Sequence, residues 1–321
     1  HEWFFDEWIL RGGEPWYRVS DTVVSDTAGL ISTLFRVRQM QPVTPLNGLF
    51  RMPVNFEVYY TDGTSARVKE LVEKEYTEVK IANPGRKEIA YTLFDPGRKV
   101  LKKLDYPRTF SRLAAQAASA GNMIDRYDAW LALRGEPYDR KWEMMAVSFA
   151  RETFWLRRAQ ILYQANGENT PETVELFRLA LRDRDAQVRK AALLLLDPVP
   201  DLLRSAVEEC LYDSSYVNVE FALENLCMSF PADADHYLDL TRDMEGWRGK
   251  NIRMMWLEIA LHFGKTEYLT ELIGYCGPAY EFETRMNAFG ILGRMKYSDE
   301  QTLADAEQAS KHWNNKLAGA A

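Results

Sequence analysis

Four histidines, His1, His236, His262 and His312, are the first residues in this sequence to test for metal or proton chemistry. The opening His1-Glu2 is how a zinc-peptidase helix begins when it reads H-E-x-x-H, with two imidazoles one turn apart on the metal and the glutamate as general base. Phe5 stands where the second histidine is required, so His1 and Glu2 cannot hold a metal in that geometry, and no H-E-x-x-H occurs elsewhere. No other histidine has a histidine or cysteine three or four residues away, the spacing that puts two ligands on one helix face. Asp233 and Asp239 flank His236 at helical spacing, as an exposed acidic helix would place them. His262 ends an apolar helix, where a cation suits the C-terminal dipole.

Five arginines form the next group: Arg126, Arg157, Arg189, Arg253 and Arg285, each in the first turn of an amphipathic stretch. On a concave surface they could hold a peptide carboxylate through paired hydrogen bonds. The same positions suit structural ion pairs with acidic residues of neighbouring helices, and that role is the expected one. Glu208-Glu209 and Asp183 with Asp185 fall in helix ends or links and read as solvated surface, while Ser214-Ser215 reads as a turn and helix cap. DPGRK at 95–99 is a turn rather than a phosphate loop, because it lacks the G-x-x-x-x-G-K-[ST] spacing. The nine tryptophans could stack on a ligand, but their helical spacing predicts packing for at least seven. No catalytic, cofactor-binding or metal-ligating residue is therefore assigned, and no substrate-binding residue is identified.

The elements that would position these residues change character along the chain. Residues 1–11 predict a short amphipathic helix with Phe4, Phe5, Trp8 and Ile9 on one side, stopped by Gly12, Gly13 and Pro15. From Trp16 to about Tyr106 the period is two: in RMPVNFEVYY, Met52, Val54, Phe56, Val58 and Tyr60 share one face, and Asp62-Gly63 supplies a hairpin turn to ARVKELVEK. With WYRVSDTVV, LISTLFRVRQ, YTEVKI, EIAYTLF and KVLKKL, this predicts an antiparallel, Ig/fibronectin-like β-sandwich over 16–106. After Pro107 nearly everything reads as helix. The five arginines are separated by 31, 32, 64 and 32 residues, and the helix at 216 fills the long gap with Val219 in the arginine's place. A period near 32 with two helices per unit predicts a HEAT-like α-solenoid over 107–321, with Thr170-Pro171 starting one of its helices. The fold class is thus multidomain, β then α.

At 321 residues with 46% hydrophobic and 27% charged residues, the chain has room for two domains or three and is not disordered. A net charge of -7 argues against a nucleic-acid partner, and no basic run suggests a membrane surface. Cys210, Cys227 and Cys276 have no metal-ligand spacing and predict buried free thiols. No stretch of 18 apolar residues predicts a membrane span, and no signal peptide is legible. A helix that begins at residue 1 is expected to mark a fragment, so both an exported and a cytoplasmic setting fit.

Taken in order, FFDEWILRGGEPWYRVS, FRVRQMQP, MPVNFEVYYTDG, FDPGRKVLKKL, IDRYDAWLAL and ETFWLRRAQILYQA resemble the C-terminal half of the M1 family of zinc aminopeptidases. The first resembles the family's last catalytic-domain helix and its link, here 1–15, and FDPGRKVLKKL resembles its exit from sandwich to helices. The resemblance implies a non-catalytic region that encloses the active-site cavity of the parent enzyme and limits peptide access. That enzyme would remove N-terminal residues with a zinc-bound water. It also implies that the zinc and the G-x-M-E-N substrate-amine motif belong to a catalytic domain absent from this sequence, so this chain alone is expected to be inactive. The implied partners are that catalytic domain and a peptide substrate. A catalytically inactive M1-like scaffold, using the helical array for protein–protein interaction, is the alternative.

Overall fold

The structure, a computed structural model, describes residues 2–44 and 46–321. It divides into two compact units, His1–Ile161 and Leu162–Ala321. The boundary at 106/107 expected from the change of period marks where strands give way to helices, and the first four helices after it are grouped with the strands or reach the division.

In the first unit the period-two stretches become β1 (Trp16–Ser25), β2 (Ile31–Gln39), β3 (Met52–Tyr60), β4 (Ser65–Val72), β5 (Tyr76–Ala82), β6 (Ile89–Phe94) and β7 (Lys103–Asp105). In β3 the alternation is as expected: Val54, Phe56, Val58 and Tyr60 are buried, and Asn55, Glu57 and Tyr59 lie on the other, partly open face. Gly63 takes φ +82°, a left-handed value that costs glycine nothing, and β4 returns in register from Tyr59↔Ser65 to Met52↔Val72.

The strands form two sheets in the orders β5-β2-β1-β7 and β4-β3-β6. Tyr17, Val19, Phe35 and Val37 of one sheet and Val54, Phe56, Val58 and Phe94 of the other belong to a single buried cluster. Edge-on ring contacts link the two: Phe35–Phe56 at 5.2 Å, and Tyr17–Phe94 at 5.4 Å. Each such pair adds about 1 kcal/mol beyond the burial of its area.

The all-antiparallel arrangement expected from the sequence is corrected. β7 runs parallel to β1, pairing Trp16↔Lys103 through Arg18↔Asp105, so the first sheet is mixed. The cause lies in the segment that joins the sheets. Asp95, Gly97 and Arg98 all take positive φ (55°, 77° and 51°) as the chain leaves β6. It then crosses to the other sheet before it pairs again, which is how a chain reaches a parallel neighbour. Of the predicted strand KVLKKL, only the end takes part.

α1 (Glu2–Phe5) continues as a wider π-helical turn over Asp6–Leu10. The expected apolar seam is therefore broken. Trp8 turns onto Phe50 at 5.3 Å, while Phe4, Phe5 and Ile9 are exposed. An extra residue in the turn shifts the 3.6-residue register that would have aligned them. α2 (Phe110–Ser119), α3 (Met123–Ala132), α4 (Tyr138–Arg151) and α5 (Trp155–Tyr163) follow. α2 packs on β6 and on α3. It is pinned by Asp21 of β1, a buried carboxylate that accepts from Tyr106 Oη at 2.7 Å and Thr92 Oγ1 at 3.1 Å and contacts Arg112 of α2.

The second unit holds α6 (Pro171–Leu181), α7 (Ala186–Leu195), α8 (Arg204–Glu209), α9 (Tyr216–Ser229), α10 (Ala234–Thr241), α11 (Asn251–His262), α12 (Leu269–Gly274), α13 (Phe282–Met295), α14 (Glu300–Ser310) and α15 (Asn315–Ala320). Thr170 caps α6 by accepting from Thr173 N, with Pro171 in the first turn, as its sequence requires. α7, α9, α11 and α13 pack in succession. Asparagines tie α9 to α7 and α11 to α9: Asn218 donates to Ala186 O at 3.0 Å, Asn225 to Leu193 O at 2.8 Å, and Asn251 to Glu220 at 2.7 Å. A side-chain amide that meets a neighbour's oxygen fixes register, which apolar contact alone does not. Among the described residues no helix is long and apolar enough to cross a membrane.

Candidate functional site

In the second unit the repeat-position arginines are closed into the fold. Arg189 of α7 forks onto Asp213, with Nε and NH2 both at 2.6 Å, and donates to Asp183 O at 2.7 Å. Burial lifts the Asp213 carboxyl, but Arg189, Ser215 N and Asn218 outweigh it and hold it below its ordinary value. Asp213, three residues ahead of the helix, also accepts from Ser215 N at 2.8 Å. Ser215 takes the N-cap position of α9 without a side-chain capping bond, and Asp213 holds the turn ahead of it. Arg253 forks onto Glu271 at 2.8 and 2.5 Å and lies 4.3 Å over the Trp256 ring. Arg285, only 3% exposed, is held differently, donating to Cys276 O at 2.8 Å and Gln308 at 2.7 Å. Val219 fills the arginine's place in α9 and is buried, while its neighbour Asn218 reaches Asp213 at 3.1 Å.

The first unit treats the same position otherwise. Arg157 of α5 is 2% exposed and contacts Glu152. Its Nε has no hydrogen-bond acceptor among the described residues, and NH2 reaches only Ala117 O at 3.4 Å. Burial, and then the nearby Arg126 guanidinium, push Arg157 down to about 10, so it stays charged at neutral pH. Arg126 donates to Ala120 O at 2.7 Å and Gly121 O at 3.0 Å and stands 3.8 Å from Glu152. Glu152 itself holds the link ahead of α5, its Oε1 accepting from Thr153 N and Phe154 N at 3.0 Å each.

A second charged group surrounds the strand-to-helix hand-over. Asp125 of α3 accepts from Gly97 N at 2.9 Å, and Asp128 of α3 receives Arg98 through Nε at 2.8 Å and NH2 at 2.5 Å. Asp95 and Lys102 form a pair 3% and 5% exposed, and Asp95 also accepts from Val100 N at 2.9 Å. Burial raises the Asp128 carboxyl and lowers the Arg108 guanidinium, which is held by Gln116 at 2.5 Å. These groups border a cleft of about 600 Å³. Two of its cation–carboxylate pairs are direct, Arg98 with Asp128 and Lys102 with Asp95, while Asp125 is held by Gly97 N and Asn122 and Arg108 by Gln116 and Tyr106 O, so its polar groups are spent on holding the segment in place.

The remaining candidates are scattered. His1 lies outside the described residues. His236 and His262 are exposed, and His312 Nδ1 accepts from Asn314 N at 3.1 Å. Among the described residues no group of three or more His, Cys, Asp or Glu side chains is placed to hold a metal ion. The described residues therefore do not fit a zinc site. Cys210, Cys227 and Cys276 are buried free thiols, as expected, and burial pushes each up to about 12, where thiolate chemistry is suppressed. Glu208 receives Arg204 at 3.1 Å and Tyr237 Oη at 2.8 Å, and Glu209 receives Arg182. Packing holds for six of the nine tryptophans rather than seven: Trp16, Trp247 and Trp313 are exposed, the last two in links where no helix face covers them.

No family model matches the chain, and no curated protein matches it. Among solved structures, the chain is similar to Legionella pneumophila aminopeptidase A in its complex with aspartic acid. The match has a TM-score of 0.48 and 12% identity, over 98% of this chain and 40% of that one. The chain thus spans about two fifths of the length of the protein it matches.

Proposed function

We propose that this chain is the non-catalytic C-terminal region of an M1-type zinc metallo-aminopeptidase, an Ig/fibronectin-like β-sandwich followed by a HEAT-like helical array. It encloses the active-site cavity of a catalytic domain in the same polypeptide and limits which peptides enter. The zinc belongs to that catalytic domain, and the gating role needs from this chain only a shaped, stiff wall that keeps water and unsuitable peptides out.

The observation that carries the reading is the hand-over at FDPGRKVLKKL. It is the segment whose sequence resembles the family's exit from sandwich to helices. Here it is clamped onto α3 by Asp125 and Asp128 and internally by Asp95 with Lys102. A segment tied this firmly suits a fixed wall. The exposed Phe4, Phe5, Ile9 and Leu10 add an apolar surface that fits contact with the catalytic domain.

Steady-state assays with aminoacyl-p-nitroanilides test the proposal. The 321-residue chain alone is expected to be inactive, and the same chain joined to its catalytic domain is expected to give chelator-sensitive cleavage. Removal of residues 162–321 from the joined protein should raise kcat/KM for long peptides relative to the small substrate. Chelator-sensitive cleavage by the isolated chain would overturn the reading, and an inactive joined protein would favour the scaffold instead.

A further inference from the structure

We propose that the cleft between the end of α2 and the α4–α5 junction binds a small oxyanion, a carboxylate or phosphate group. The cleft has a volume of about 350 Å³ and is lined by Arg126, Arg151, Arg157 and Glu152, with the Ala120-Gly121 backbone on one side. A water molecule takes about 30 Å³, so an oxyanion fits with part of its hydration shell.

Two guanidinium groups, those of Arg126 and Arg157, share one carboxylate here, and a third, that of Arg151, lines the same cleft. Glu152 already spends Oε1 on Thr153 N and Phe154 N, leaving Oε2 to face both Arg157 and Arg126. Arg157 is the independent pointer to a ligand. It is 2% exposed, lines the cleft, and has a buried Nε donor with no acceptor. A buried donor left unmade is costly, and a planar guanidinium presents a fork that matches the two oxygens of a carboxylate or phosphate. Arg151 is exposed at the end of α4 and has no hydrogen-bonded or ionic partner among the described residues, so it can meet the ligand at the mouth. The carbonyl oxygens that Arg126 satisfies keep its guanidinium in place without neutralising it.

Isothermal titration of the full chain with inorganic phosphate, and separately with acetate, tests this against sodium chloride at matched ionic strength. One-to-one saturable binding of either oxyanion is expected, and the tighter of the two identifies the source of the group. Arg151→Gln should weaken it by about fivefold or more, the loss of one charge-assisted contact at a partly open site. Glu152→Gln, which removes the competing carboxylate, should tighten it. Because Arg151 has no partner among the described residues, its variant decides the matter even where Glu152→Gln fails to fold. No saturable binding beyond the chloride control, or unchanged affinity in Arg151→Gln, would overturn the proposal.

Discussion

Arg157 and Arg189 occupy the same position in amphipathic helices and stand 32 residues apart, yet their surroundings are opposite. Arg189 meets Asp213 through two donors at 2.6 Å, and among the described residues that carboxylate has no other cation. Arg157 shares Glu152 with a second arginine, keeps one donor unmade, and is pushed down in proton affinity where Arg189 is pushed up. A repeated residue type thus does not fix a repeated role. What decides is how many opposite charges the neighbouring links deliver: Asp213 arrives as a dedicated partner, while Glu152 is already committed to the backbone of the link ahead of α5.

The largest expected effect falls on the crowded arginine. Glu152→Gln leaves Arg157 buried without a countercharge and should cost about 3 kcal/mol in urea denaturation. A loss below 1 kcal/mol would mean that water or an anion already neutralises the site. Arg189→Ala should cost about 2 kcal/mol, less because Asp213 keeps Ser215 N and Asn218 as donors. That pair also sharpens the contrast through pH. A carboxyl held low in the folded state adds stability that is full above its unfolded value of about 4 and fades as pH falls through the lower folded value. Between about pH 5 and 3 the urea midpoint should therefore fall less steeply in Arg189→Ala than in the unsubstituted chain. Equal slopes would remove Asp213 from the acid response. Arg285→Met, which frees a buried carbonyl rather than an acid, should cost about 1 kcal/mol. Arg294→Ala breaks a fork onto Glu258 that is 62% exposed on the arginine side, and a thermal melt should register about 0.5 kcal/mol or less.

The two-sheet core was legible because burial there follows the simple period of two. Val54, Phe56, Val58 and Tyr60 could be placed inward from RMPVNFEVYY alone. Helices at 155–163 and 251–262 were equally plain, since their apolar residues recur at helical spacing. The parallel β7 was not legible, because its partner Trp16 lies 87 residues away and the direction of re-entry depends on backbone angles at Asp95, Gly97 and Arg98. Nor was the oxyanion cleft, since Arg151, Glu152 and Arg157 lie close in sequence but the third guanidinium comes from Arg126 in another helix.

By itself the sequence determined the succession of strands then helices, the inward faces of most of them and the recurrence of arginine near every 32 residues. These are local regularities, set by side-chain period and by glycine and proline punctuation. Only the tertiary structure decided which arginine is neutralised and which is left in excess. Electrostatic balance depends on charges that different helices bring within a few ångströms and on how much water burial removes around them.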